Sequence, residues 1–184
     1  MSEFIWLDLE TTGLDPDRDI ILEFAAMIAN DGRGGDFTPI EIHQSVVAPY
    51  FYGTRPAGVI LAEMDPFVRN MHTKNGLLAE LERPELCCTI GEADEFLAAL
   101  IPDGKPSLAG NSVHFDLGFL RVHMPRFAAR LSHRVFDVST LLRAERTYGD
   151  SHDMIQVPAS AHRAREDVLA SLATAGRFVG RRFR

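Results

Sequence analysis

Ile5-Trp6-Leu7-Asp8-Leu9-Glu10-Thr11-Thr12-Gly13-Leu14 starts as an apolar run and ends on two acids separated by one position. Phe4 to Asp8 reads as a buried strand. Side chains two apart on a strand share a face, so Asp8 and Glu10 point the same way. Neighbouring like charges raise one another's pKa, and a cation held by both acids is the best explanation for such a pair. The stretch predicts a metal site at the end of a strand.

Outward from it, Gly13 to Asp19 reads as a turn, Ile20 to Ala29 as a second strand closed by Asn30-Asp31-Gly32, and Ile40 to Val47 as a third. Together these form an antiparallel meander. Pro49 to Gly58, with Tyr50, Phe51 and Tyr52, reads as an extended loop, its aromatic residues assigned to packing or a dimer contact. Glu63 to Met71 and Leu77 to Leu81 are helical, and Thr89-Ile90-Gly91-Glu92 is a capping box opening a helix to about Leu100. Ser107 to Gly110 is a strand, and Asp116 to Met124 a helix that stops before Pro125. Val135 and Phe136 end another strand, followed by a helix from Val138 to about Tyr148, a polar loop to Ser160 and a last helix from about Arg163 to Val179. Strands first, then strands alternating with helices, predict an α/β fold: a mixed five-stranded sheet flanked by helices, in one domain over residues 1–184.

Composition narrows the function. A net charge of −7 argues against coating long nucleic acid, which needs a basic face, and leaves room for short oligonucleotides. The arginines at 177, 181, 182 and 184 read as a solvated end. No run approaches the roughly 18 apolar residues of a membrane helix, and the start lacks the order of a signal peptide, so a cytoplasmic protein is expected. Cys87 and Cys88 are adjacent and read as reduced thiols rather than zinc ligands.

Three further stretches carry acids. Gly110-Asn111-Ser112-Val113-His114-Phe115-Asp116 leaves a strand and sets Asp116 in the first turn of a helix, where the macrodipole favours an anion. Asp137-Val138-Ser139-Thr140 repeats the arrangement, with Asp137 better read as an N-cap. In His162-Arg163-Ala164-Arg165-Glu166-Asp167, five helical positions would turn His162 away from Asp167, so His162 is expected ahead of the helix, leaning over the site. There a neutral imidazole is suited to act as general base. The other histidines read as structural or solvated, with His72 and His133 the two to test near substrate.

These motifs, taken in order, resemble the DEDDh class of 3′-to-5′ exonucleases and, within it, the oligoribonuclease family. Gly13 to Asp19, His43-Gln44-Ser45, His72 to Leu77, Gly110-Asn111-Ser112 and Asp137 to Leu141 carry the same resemblance. It implies a ribonuclease-H-like fold, a homodimer, and removal of mononucleotides from very short single-stranded RNA. It also implies that Asp8, Glu10, Asp116 and Asp167 hold two Mg²⁺ or Mn²⁺ ions, with His162 as base. By the same carry-over Thr11, Thr12 and Gly13 lie by the terminal sugar, and Leu14 wedges between bases. Ser112, Arg134 and Ser139 cap the 5′ phosphate, and His133 stands where the family has a tyrosine reaching the partner's site. Thr12, in place of the family's methionine, and His133 favour an alternative, the trimming or proofreading of single-stranded DNA or longer RNA ends. A binding module without catalysis would lack one of the five catalytic positions, and all five are present.

Overall fold

Ile5, Trp6 and Leu7 are all buried, Ile5 and Leu7 on one side of the sheet and Trp6 on the other. A strand apolar on both faces needs cover on both. Accordingly β1 (Phe4–Thr11) lies inside the sheet, between β2 (Ile21–Ala29) and β5 (Ser107–Gly110). The computed structural model describes residues 4–29, 36–50, 52–101, 105–149 and 154–182. The expected turn at Asn30-Asp31-Gly32, Phe51 and His152 lie outside them.

With β3 (Pro39–Val47), β4 (Cys87–Cys88) and β6 (Val135–Asp137), the strand order is β4-β3-β2-β1-β5-β6. The first three strands form the expected antiparallel meander, and β5 and β6 add in parallel beside β1. The mixed sheet has six strands instead of the expected five. The addition is β4, which pairs with Val46 and Val47; two residues carry no periodicity that a sequence reading can detect.

Helices α4 (Ile90–Ala99), α5 (His114–His123) and α6 (Pro125–Arg130) cover the Ile5 and Leu7 face, while α7 (Val138–Tyr148) and α8 (Ala164–Arg182) cover the Trp6 face. A third cluster, including Ile20, Leu22, Val46, Ile60 and Leu77, is roofed by α1 (Ala57–Ala62), α2 (Pro66–Lys74) and α3 (Leu77–Leu81). The Thr89 capping box forms with both of its hydrogen bonds. Three boundaries differ from the sequence reading. Helix α2 starts later than Glu63 because Asp65 caps it, accepting from Phe67 N–H at 2.8 Å. Pro125 ends α5 as expected and then, at the first position of a new helix where its missing N–H costs nothing, opens α6. Residues 57–62, partly read as loop, form α1, whose six residues are too short for a periodic signal.

Strands β1, β5 and β6 run parallel, so their carboxyl ends open on one edge of the sheet, the usual place for a ligand in such folds. Their close packing depends on Gly110, where a Cβ would sit 2.6 Å from the Leu7 carbonyl oxygen. Gly110→Ala must therefore part β1 from β5, at an expected cost of about 1–3 kcal/mol. Thermal unfolding should show a melting temperature lower by several degrees, and an unchanged one would mean that the strands are not held this closely.

Candidate active site

Alternation along β1 places Asp8 and Glu10 on the Trp6 face, beneath α8. Pairing between β1 and β2 becomes irregular just beyond Glu10, where Glu10 faces Glu23 but Thr11 faces Ile21, and the ladder ends at the site. Asp116 comes from the first turn of α5, and its Oδ1 accepts the Leu9 N–H at 3.0 Å, tying that helix to the strand between the two acids. Asp167 lies in the first turn of α8 and accepts from Ala161 N–H at 2.9 Å and from the Ser160 hydroxyl at 2.6 Å. Among the described residues, Glu10, His162 and Asp167 bring metal-ligating atoms within 4.8 Å of one another. Asp8, Glu10, His162 and Asp167 line one pocket, and Asp8 also lines a second with Asp116.

The electrostatics follow from this crowding. Burial holds Asp8 well above the usual carboxylate range, with Asp116, Glu10 and Asp167 adding to it. Burial, then Asp167 and Glu23, push Glu10 up to about 8. Asp116 is raised by burial against the opposing Leu9 N–H. Arg163, the cation that lowers Glu10, is itself engaged by Glu23 and Glu80, with contacts of 2.8 Å to each. Among the described residues the cation that acts on Glu10 is thus shared with two other acids, and the cluster's hard oxygen donors fit a divalent cation.

His162 lies ahead of α8, as its spacing from Asp167 requires, with a φ of 52°. Its Nδ1 is 3.2 Å from the Ser160 hydroxyl, whose proton is committed to Asp167. The hydroxyl oxygen therefore accepts from Nδ1–H, and Nε2 keeps its lone pair. The Asn75 amide donates to the His162 carbonyl, and Arg163 returns a bond to the Asn75 carbonyl at 3.3 Å. Ser112, the other described non-glycine residue with positive φ (55°), also lines the cleft. Local strain is concentrated here.

Of the expected recognition residues, Leu14 is 73% exposed on the 13–19 turn, facing a pocket shared with Thr11, Asn111, Ser112, Phe115 and Phe119. Thr12 is buried, donating to Asp19 at 2.9 Å while accepting from Ile20 N–H at 3.0 Å; it braces the turn from inside. Gly13 is required because a Cβ there would meet the Asp19 carboxylate at 2.5 Å. Asp137 draws Ser112 and Ser139 together, accepting from both backbone N–H groups (3.1 and 2.9 Å) and from the Ser139 hydroxyl (2.6 Å). His133 and Arg134 are exposed ahead of β6, at the end of that strand opposite to Asp137. His72, read as structural and singled out for testing near substrate, is fully buried and bonds the Thr11 carbonyl at 2.9 Å, so it props the backbone beside Glu10. Sequence reasoning missed Phe115 and Phe119, whose signal is an aromatic pair four apart flanking Asp116, and it missed Ser160 and Asn75, whose roles rest on contacts distant in sequence or on an irregular turn.

The sheet and its acidic edge are those of a ribonuclease-H-like nuclease fold. A family model described as Exonuclease (RNase T) matches residues 5–175. Oligoribonuclease from Corynebacterium diphtheriae is 35% identical over 183 residues, spanning 93% of this chain and 79% of that protein. Oligoribonuclease from Salmonella typhimurium is 32% identical over 180 residues, spanning 94% and 91%. Exonuclease I of E. coli, solved in complex with a dT13 oligonucleotide, superposes with a TM-score of 0.68 at 19% identity. That alignment covers 97% of this chain but only 41% of exonuclease I, and the likeness concerns the fold. The chain belongs to the exonuclease family, and its similar relatives within it are oligoribonucleases.

Because Glu10 titrates near 8 when folded and near 4.5 when unfolded, the metal-free fold binds more protons than the unfolded chain between those limits and loses stability as pH rises through about 8. A bound divalent cation replaces those protons. The melting temperature of the protein in EDTA should fall from about pH 5 to about pH 9, and Mg²⁺ or Mn²⁺ should raise it most at the alkaline end. A melt independent of pH and of metal would mean that the acids are not packed together.

Proposed function

We propose that this chain is a metal-dependent 3′-to-5′ exoribonuclease that releases nucleoside 5′-monophosphates from short oligoribonucleotides. The observation that carries the reading is the convergence of Asp8, Glu10, Asp116 and Asp167 with His162 beside a pocket walled by Leu14 and Phe119. In this reading residues 1–184 act as one catalytic domain, in a cytoplasmic homodimer. The free thiols of Cys87 and Cys88 suit a reducing compartment, and among the described residues no helix is long and apolar enough to cross a membrane.

Asp8, Glu10, Asp116 and Asp167 would hold two Mg²⁺ or Mn²⁺ ions, supplying charge neutralisation at the scissile phosphate and activation of water. The chain's residues do the rest. Nε2 of His162 takes a proton from the attacking water as its oxygen bonds to phosphorus, and the bond from phosphorus to the 3′ oxygen of the penultimate nucleotide breaks, that oxygen taking a proton from solvent to become the new 3′ hydroxyl. Ser160 holds the imidazole in the tautomer this transfer needs. Leu14 separates the last bases, the Thr11 to Gly13 backbone lies along the terminal sugar, and Ser112 and Ser139 meet the 5′ phosphate. His133 and Arg134, at the end of β6 opposite to Asp137, would serve the cap of a second subunit's site, approached from the exposed turn before that strand.

A second reading, trimming of single-stranded DNA or longer RNA, is favoured by Thr12 and His133 and by the fold shared with exonuclease I, whose solved complex holds dT13. Initial rates on 5′-phosphorylated RNA of two, five and twenty nucleotides, and on matching DNA, separate the two. The first predicts a steep fall beyond the dinucleotide; comparable rates at every length, or faster DNA cleavage, select the second. Asp8→Ala should abolish turnover with the fold intact, and an undiminished rate would sink the site. His162→Ala should lower kcat by about 10²–10⁴ with little change in KM, the range for losing a general base.

A further inference from the structure

His123 contacts the turn that carries Leu14 and the ring of Phe119, which lines the Leu14 pocket. Its Nε2 lies 2.9 Å from the carbonyl of Pro16, two residues beyond Leu14, and a carbonyl only accepts, so Nε2 carries the proton. Nδ1 is left with a lone pair. It lies 3.1 Å from the Tyr50 hydroxyl, which donates to it while accepting the Ile21 N–H at 3.2 Å. The imidazole stacks on Phe119, with ring centroids 5.7 Å apart and planes 19° apart, and Phe119 lines the pocket together with Leu14. Tyr52 packs on the same ring at 4.7 Å. Burial lowers the His123 pKa, in keeping with the neutral ring that this relay needs.

The same segment grips the far end of the turn, where Arg55, held by Glu63, donates to the Arg18 carbonyl. Between these two holds the turn is stiff, because Asp19 binds both the Thr12 hydroxyl and the Asp15 N–H. Tyr50 and His123 thus tie the turn that carries Leu14 to the helix that carries Phe119. Neither residue lines the pocket that holds His162 and Asp167.

We propose that Tyr50 and His123 are positioning residues that set the gap between Leu14 and Phe119, and so set the affinity of the enzyme for the 3′-terminal bases of an oligonucleotide. This rests on the reading of Leu14 as the base wedge. It gives the segment from Tyr50 to Arg55 a role in substrate selection.

The test is steady-state kinetics on 5′-phosphorylated dinucleotide and five-nucleotide RNA with Tyr50→Phe, His123→Phe, Leu14→Ala and the two doubles containing Leu14→Ala. His123→Phe keeps the stack on Phe119 and loses both hydrogen bonds; Tyr50→Phe removes one hydroxyl and carries the same test should the former not fold. Tyr50→Phe and His123→Phe should each raise KM by about tenfold with kcat within roughly twofold, the signature of lost binding rather than lost chemistry. In the doubles KM should rise no further than in Leu14→Ala alone, because the pair acts through Leu14. A merely structural role would lower the melting temperature and the active fraction while leaving KM unchanged. An unchanged KM, or losses that multiply with Leu14→Ala, in an enzyme that cleaves RNA overturns this inference alone. A wild-type chain inert towards all RNA and DNA overturns it together with the reading of function.

Discussion

Mutual repulsion among acids withdrawn from water governs this protein. Asp8, Glu10 and Asp116 are each raised above the usual carboxylate range, first by burial and then by nearby acids: Asp116, Glu10 and Asp167 on Asp8, Asp167 and Glu23 on Glu10, and Asp137 on Asp116. Such a cluster is tolerated only if protons or cations neutralise it and if the scaffold resists splaying apart. The scaffold does resist. β1 is locked between β2 and β5, Gly110 lets β5 approach to contact distance, and the Leu9 N–H pins Asp116 to the strand that carries the other two acids. Energy that would unfold a free-standing acidic cluster is here available for gripping a divalent cation.

The second demand is on the base. His162 sits at a φ of 52°, a region an L-residue occupies only when its surroundings impose it. Its neighbours impose it. Asn75 holds its carbonyl, Ser160 holds its backbone N–H and its Nδ1, and Arg163 is clamped by Glu23 and Glu80. Glu23 faces Glu10 across the sheet and also accepts the Ala164 N–H at 2.9 Å, so one residue joins the strand that supports the acids to the start of the helix that supplies Asp167. The α2–α3 junction, remote in sequence, thereby positions both sides of the cleft: Asn75 on the base and His72 on the Thr11 carbonyl.

Much of this was legible in advance, and for identifiable reasons. An apolar run ending in Asp8 and Glu10 could only be a covered strand delivering two acids to one face. Thr89 and Glu92 announced a helix start by local chemistry, and five positions between His162 and Asp167 required the histidine to leave the helix. What escaped was short or distant. The Cys87–Cys88 strand and the Ala57–Ala62 helix are below the length at which periodicity exists. His72 is structural, as read, but its partner, a backbone carbonyl 61 positions earlier, is one that no local pattern encodes.

The sequence by itself determined the alternation of strand and helix, the placing of acids at strand ends and helix starts, and the class of chemistry that those acids can perform, because all of these depend on neighbours within a few residues. Tertiary structure alone decided which acids share a cation-sized space, which tautomer His162 presents, and how Tyr50 and His123 set the distance between Leu14 and Phe119. These depend on chain segments separated by tens of residues, whose approach is fixed by packing on the two faces of one sheet.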